Sequence, residues 1–300
     1  MKINMIRSDK VYQEMLELPL EKREGCFRAK ILAPFATKYQ TQHIPLKAKY
    51  PGGFDALFLL GFMNQLPSTL SEKDRPAIDA LSSDQLWQNC QDTIKRSIGL
   101  FEQAGYDLEV EDYHFTILLG NPEKPMLQLN KGYSGDGGIP GYLMLSLLPN
   151  DYTLPRVQAA LAHECNHNVR FQFVKWNQQT TLADWVVSEG LAESFAAELY
   201  GKDLIGPWVT STSPEQLKEI KPIISSQLQL TGMAEMAPYL YGDEIAKIQG
   251  QIPVGMPYAA GYAYGYHLIQ AYLKKTGKSI IEATVTPTEQ ILEATKDFWK

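Results

Sequence analysis

The chain has 300 residues, 44% of them hydrophobic, enough to bury a substantial core as one large domain or two closely joined ones. Its net charge is −6, and the 28 lysines and arginines form no long run, which disfavours a broad basic surface for nucleic acid. The three cysteines, Cys26, Cys90 and Cys165, stand at unrelated spacings and read as free thiols of a reducing compartment. The first ten residues turn polar before a signal-peptide core develops, and the charge-free stretch 251–273 is too polar to span a bilayer. A cytoplasmic protein without membrane or nucleic-acid partners is expected.

In chain order, residues 3–7 suit a short strand, followed by a helix opening at Ser8 and Asp9. Residues 20–42 alternate at helical spacing, with Pro34 set to break or kink the run. Pro51, Gly52 and Gly53 mark a turn before an apolar, helical segment at 54–66. A long amphipathic helix is expected over 82–104, capped by Ser83, with Leu86, Cys90 and Ile94 in its core stripe. A mostly helical region is thus expected over 1–105 and a second region over 106–300.

The character changes after Gly105. The β-branched and aromatic run 114–119 predicts a strand. A second strand is expected at 126–129 and a third at 142–147. Between them, five glycines in residues 132–141 invite a phosphate-loop reading. No Gly-Lys-Ser/Thr follows, however, and a strand comes next where a phosphate loop would open a helix. A surface loop is the plainer expectation. Asp151 or Thr153 can cap the following helix, with Pro155 in its first turn, and that helix runs to about Phe173. Thr180 and Thr181 cap the next, over 182–200, and Gly201 stops it. Residues 207–219 read as a polar loop, 221–230 as a helix and 239–257 as irregular. A tyrosine-rich helix over 259–276 and a short one over 288–299 complete the chain.

The helix expected after Pro155 holds the motif His163-Glu164-Cys165-Asn166-His167, or H-E-x-x-H. Residues four apart share a helix face, so both imidazoles can reach one metal ion. Glu164 lies about 100° around the helix from His163, which suits a general base beside the metal instead of a ligand. Buried, hydrogen-bonded core histidines are the plain alternative; the pair together with Glu164 favours the metal. Cys165 falls on the opposite side of the helix and reads as core.

Catalytic zinc wants three protein ligands and an open position for water. Glu189, Glu193, Glu198 and Asp184 lie downstream on one predicted helix and could each supply the third. Glu189 and Glu193 share a face, and we assign Glu189 as the ligand and Glu193 as the carboxylate orienting an imidazole N–H. Gly190, costly inside a helix, would let this helix approach another backbone closely. Two neutral imidazoles and one carboxylate leave one positive charge on a single Zn²⁺, which a bound hydroxide neutralises. Glu164 would take the water's proton and return it to the leaving group.

The spacing His163-Glu164-x-x-His167, then Glu189-Gly190-Leu191-Ala192, resembles the gluzincin metallopeptidases. The run Glu189–Glu193 and the later Gly261-Tyr262-Ala263-Tyr264-Gly265-Tyr266 are similar, more narrowly, to the bacterial YjaZ-like family of predicted zinc-dependent proteases, over about residues 110–275. The resemblance implies an α+β, zincin-like fold, mostly helical, with a small mixed sheet over the motif helix. It implies a peptide or protein substrate in a groove beside an edge strand, with 142–147 the candidate edge. It also implies a late tyrosine or histidine that stabilises the oxyanion. The tyrosine helix offers Tyr258, Tyr262, Tyr266 and His267, and we place Tyr262 first and Tyr258 second; aromatic core packing, with Gly261 and Gly265 allowing helix contact, is the alternative for each. Two other readings stand beside the peptidase: a zinc amidase or other hydrolase of a small non-peptide substrate, and a catalytically silent, zinc-stabilised binding module.

Overall fold

The structure is a computed structural model and describes residues 1–299. It is α+β: many helices and one four-stranded mixed sheet. The strands are β1 (Lys2–Met5), β2 (Asp112–Leu119), β3 (Tyr133–Ile139) and β4 (Tyr142–Leu147), in the order β1-β2-β4-β3. β1 and β4 run parallel to β2, and β3 runs antiparallel to β4. No helix among the described residues is long and apolar enough to cross a membrane.

Contacts divide the chain into two compact units, one of residues 1–96 with 109–161 and one of 97–108 with 162–300. These do not follow a cut at residue 105, because β1 pairs with β2 and ties the N-terminus to the sheet. In the first unit, the helix Ser8–Glu17 lies against β2: Ser8 Oγ donates to the Ile117 carbonyl, and the Leu119 amide donates to the Tyr12 phenol oxygen at 3.1 Å. Burial pushes the Tyr12 phenol well up from its ordinary value. Phe35 meets the Tyr142 ring, and the almost fully buried Lys38 pairs with Asp136 at 2.7 Å.

Three sequence expectations fail in this unit. Residues Pro125–Leu129 form a helical turn, since a proline at the first helical position favours a helix start over a strand. The glycine-rich stretch is not a loop. It is β3, paired to β4 with a bulge between Asp136 and Ile139, and pairing there overrides glycine's weak strand propensity. β4 therefore lies between β2 and β3, so the strand expected at the sheet edge is an inner one, with its ladder groups already used.

The second unit is helical. It holds most of the motif helix (Val157–Phe173), the glutamate helix (Leu182–Tyr200) and the tyrosine helix (Ala260–Thr276). The stretches expected to be polar loop (207–219) and irregular (239–257) hold the helices Pro207–Thr210 and Asp243–Ile248, the start of Pro214–Gln227 and the end of Met233–Tyr241, while the helix expected over 221–230 is present as the second half of Pro214–Gln227. Thr181 caps the glutamate helix in a reciprocal box with Asp184, and Gly201, at φ +94°, ends it as expected. From Val186 to Ala196 every residue of this helix is buried, which removes any polar face.

The glutamate and tyrosine helices meet backbone to backbone. A Cβ on Gly190 would lie 2.1 Å from the Gly265 carbonyl oxygen, and one on Gly265 would lie 2.0 Å from that of Val186. Gly261 plays the same part toward Met233–Tyr241, where a Cβ would meet the Leu240 Cα at 2.7 Å. Only glycine permits these approaches.

Candidate metal centre

The motif helix and the glutamate helix face each other in antiparallel register. His163 meets Glu193, and one turn along His167 meets Glu189. All four side chains are buried. Three donor atoms converge: His163 Nε2 lies 3.1 Å from His167 Nε2 and 3.2 Å from Glu189 Oε2, and His167 Nε2 lies 3.3 Å from the same oxygen. A tetrahedral zinc ion with bonds of about 2.0–2.1 Å sets its ligand atoms roughly 3.3 Å apart. The triangle fits that ion.

Electrostatics give the same answer. His163 Nδ1 lies 2.8 Å from Glu193 Oε2, and an ionised carboxylate only accepts, so Nδ1 carries the hydrogen. The lone pair of neutral His163 then points through Nε2 at the Glu189 carboxylate, a repulsive contact unless positive charge sits between them. Burial works against a charged His163, yet its bonds to Glu189 and Glu193 hold its pKa well above the ordinary histidine value. Burial likewise opposes an ionised Glu189, but His167 and His163 bring it down to about 2. A proton meets this demand partly. A divalent cation meets it with both imidazoles neutral.

Glu193 is held from three sides. Its Oε1 accepts from the Gly206 amide at 2.5 Å, and its Oε2 accepts from the Trp208 indole at 2.7 Å as well as from His163. The Trp208 ring stands edge-on to His163, 5.9 Å between centroids. Gly206 makes room for it, since a Cβ there would sit 2.1 Å from the indole. Neither Gly206 nor Trp208 stood out in the sequence, where Trp208 lies inside a stretch read as loop and Gly206 just before it. The other carboxylate candidates are occupied or remote: Asp184 caps the glutamate helix, and Glu198 is exposed.

Glu164 is buried beside these donors, close enough to raise the pKa of both His163 and Tyr262. For Tyr262 burial is the largest cause, followed by Glu189, Tyr241, Glu164 and Tyr258, and together they hold the phenol well above its ordinary value. Its ring packs between Trp208 at 6.3 Å and Tyr241 at 6.0 Å. Tyr241 was not anticipated either. Tyr258 precedes Ala259, whose left-handed backbone at φ +53° is unusual for a residue with a Cβ and whose amide donates to the Tyr241 carbonyl at 2.8 Å. Tyr264 instead bonds Ser225 at 3.1 Å.

One turn beyond His167, Arg170 is wholly buried and donates to Ser188 Oγ, the carbonyls of Thr284 and Thr286, and Thr288 Oγ1, at 2.8–3.1 Å. Burial lowers its pKa to about 10, so it stays charged at neutral pH. Asn166 adds a bond to Thr284 Oγ1 at 2.7 Å. These bonds fix the rotation of the motif helix about its axis, which aims both histidines. A buried arginine carries no sequence signal that separates it from a solvated one.

Comparison with known proteins gives a consistent picture. The family described as predicted Zn-dependent protease (DUF2268) matches residues 86–293. The uncharacterised protein YjfC of Bacillus subtilis (strain 168) is 34% identical over 293 residues, 97% of each chain. The uncharacterised protein YjaZ of the same organism is 27% identical over 155 residues, 50% of this chain and 55% of its own. No solved structure matches. With a buried His-His-Glu cluster at metal-binding spacing and a family match over most of its length, the chain belongs to this family of predicted Zn-dependent proteases.

Proposed function

We propose that the chain is a peptidase that hydrolyses peptide bonds with one zinc ion held by His163, His167 and Glu189. The observation that carries this reading is the triangle of three buried donor atoms at zinc-ligand spacing, with the Glu164 carboxylate beside it. When bound there, zinc polarises a carbonyl and lowers the pKa of a water toward about 7. Glu193 keeps the hydrogen on His163 Nδ1 and the lone pair on Nε2 turned inward. Glu164 takes the proton of the attacking water and passes it to the leaving amine. Tyr262 keeps its proton at neutral pH and donates it in a hydrogen bond to the developing oxyanion, with Tyr258 as the second donor. We place the chain in the gluzincin group because its third donor is a glutamate on the helix that follows the motif.

Metal analysis joined to cleavage of a diverse peptide library tests the proposal. Glu164→Gln should keep its zinc and lose at least about 100-fold in rate. Tyr262→Phe should lower kcat by about 100-fold, and Tyr258→Phe by less. Zinc-loaded protein that cleaves no peptide, or an E164Q variant as active as the parent, overturns it. Turnover confined to small non-peptide amides would make the chain an amidase.

A further inference from the structure

The antiparallel register that brings His163 to Glu193 and His167 to Glu189 does not stop at the metal donors. The next step along the motif helix is Phe171, and the matching step back along the glutamate helix is Trp185. Trp176, from the segment joining the two helices, stands between them. Its ring centroid is 4.9 Å from that of Phe171 at 62° and 4.5 Å from that of Trp185 at 87°. Phe171 in turn lies parallel to the His167 imidazole, at 5.6 Å and 2°. One unbroken file of rings therefore leads from a metal donor to the edge of the unit.

The two ends of this register differ. At the Glu193 end the neighbouring aromatic, Trp208, is buried and its indole N–H is used. At the other end Trp176 is 38% exposed and Phe173 39%, while Phe171 and Trp185 are half-buried. Large apolar rings left in water beside a reaction centre mark a place for a ligand. The rings stand edge to face, a preferred aromatic geometry that a further ring can extend. Asp184, the carboxylate next to Trp185, accepts from the Thr181 amide and hydroxyl, which turn it to the helix cap.

Resting on the zinc reading above, we propose that Phe171, Trp176 and Trp185 form a subsite for an aromatic side chain of the peptide substrate, next to the bond that is cut. The metal end orients the carbonyl; the ring file selects the residue beside it.

Calorimetric titration of the zinc-loaded full chain separates the two claims. Acetohydroxamate probes the metal alone, 3-phenylpropanohydroxamate adds a ring, and a hydroxamate with a guanidinium arm replaces the ring by a cation. The phenyl compound should bind about tenfold tighter than acetohydroxamate. Trp176→Ala should bring that ratio to about one, and Trp176→Phe should keep part of it. No acetohydroxamate binding overturns the metal reading and the subsite with it. Acetohydroxamate binding with no phenyl gain, a gain unchanged in W176A, or a guanidinium arm that outbinds the phenyl arm overturns the subsite alone.

Discussion

Two buried polar centres stand within two turns of the motif helix, and they solve opposite problems. Arg170 brings its own positive charge into the interior and surrounds it with neutral acceptors, two carbonyls and two hydroxyls. The cluster of His163, His167 and Glu189 brings acceptors together and leaves the positive charge to be supplied. The first arrangement is complete when the chain folds. The second calls for a cation, the part that the proposed zinc would fill. Burial alone does not mark a functional group, then; a buried group whose partners leave it electrostatically incomplete does.

Variants can break this contrast. The largest loss of stability is expected for Arg170→Met, which strands four buried acceptors and should cost about 3–5 kcal/mol. Thermal unfolding should show a midpoint lower by roughly 10 °C, with or without zinc. Gly190→Ala or Gly265→Ala should cost about 3 kcal/mol by forcing the two helices apart, and because Glu189 moves with its helix, zinc affinity should fall as well. A G190A protein with the parent's melting curve would mean that the backbones do not touch. Glu193→Gln sharpens the comparison from the other side. Folding should lose about 1–3 kcal/mol, because the glutamine NH2 must face an N–H that the carboxylate accepted, while competition with a chelator should show zinc binding weakened by ten- to a hundredfold. Saturating zinc should also raise the midpoint of the parent chain more than that of this variant.

The smallest effect concerns His267, on the tyrosine helix. Burial, and then Lys221, lowers its pKa, so the folded chain prefers it neutral. Between the ordinary histidine pKa of about 6.5 and its lower folded value, the unfolded chain binds more protons. Stability from this group is therefore full above about pH 6.5 and falls as the pH drops through the folded value. His267→Gln should flatten that part of a stability profile measured by urea unfolding in the metal-free protein; an unaltered slope would refute the assignment.

What the sequence disclosed was whatever helical arithmetic can express. Residues four apart put His163 with His167 and Glu189 with Glu193, and a glycine next to a buried glutamate announced a close helix contact that Gly190 does make. Thr181 and Gly201 bounded the glutamate helix for reasons of capping chemistry alone. Pairing across the chain was hidden. Nothing local tells that Trp208, fifteen residues after Glu193, turns back to bond it, or that Arg170 faces inward. Strand β3 was hidden because its partner, and not its own glycines, decides its conformation. The short run at Met126–Leu129 was read wrongly because four residues, three of them apolar, fit either period, and Pro125 settled it.

The contact between Gly190 and Gly265 also bears on how relatives of this chain should be sorted. Histidine pairs with a following glutamate arise by chance in long collections of sequences, and side chains can be swapped one at a time. Two backbones in contact cannot drift in that way, since a methyl group on either glycine would overlap a carbonyl of the other helix. A relative that keeps the polar residues but lacks one of these glycines has to space its helices differently and present its carboxylate along another line. The glycine pair is thus the stricter marker of a site built like this one, although neither glycine has a side chain to bring to it.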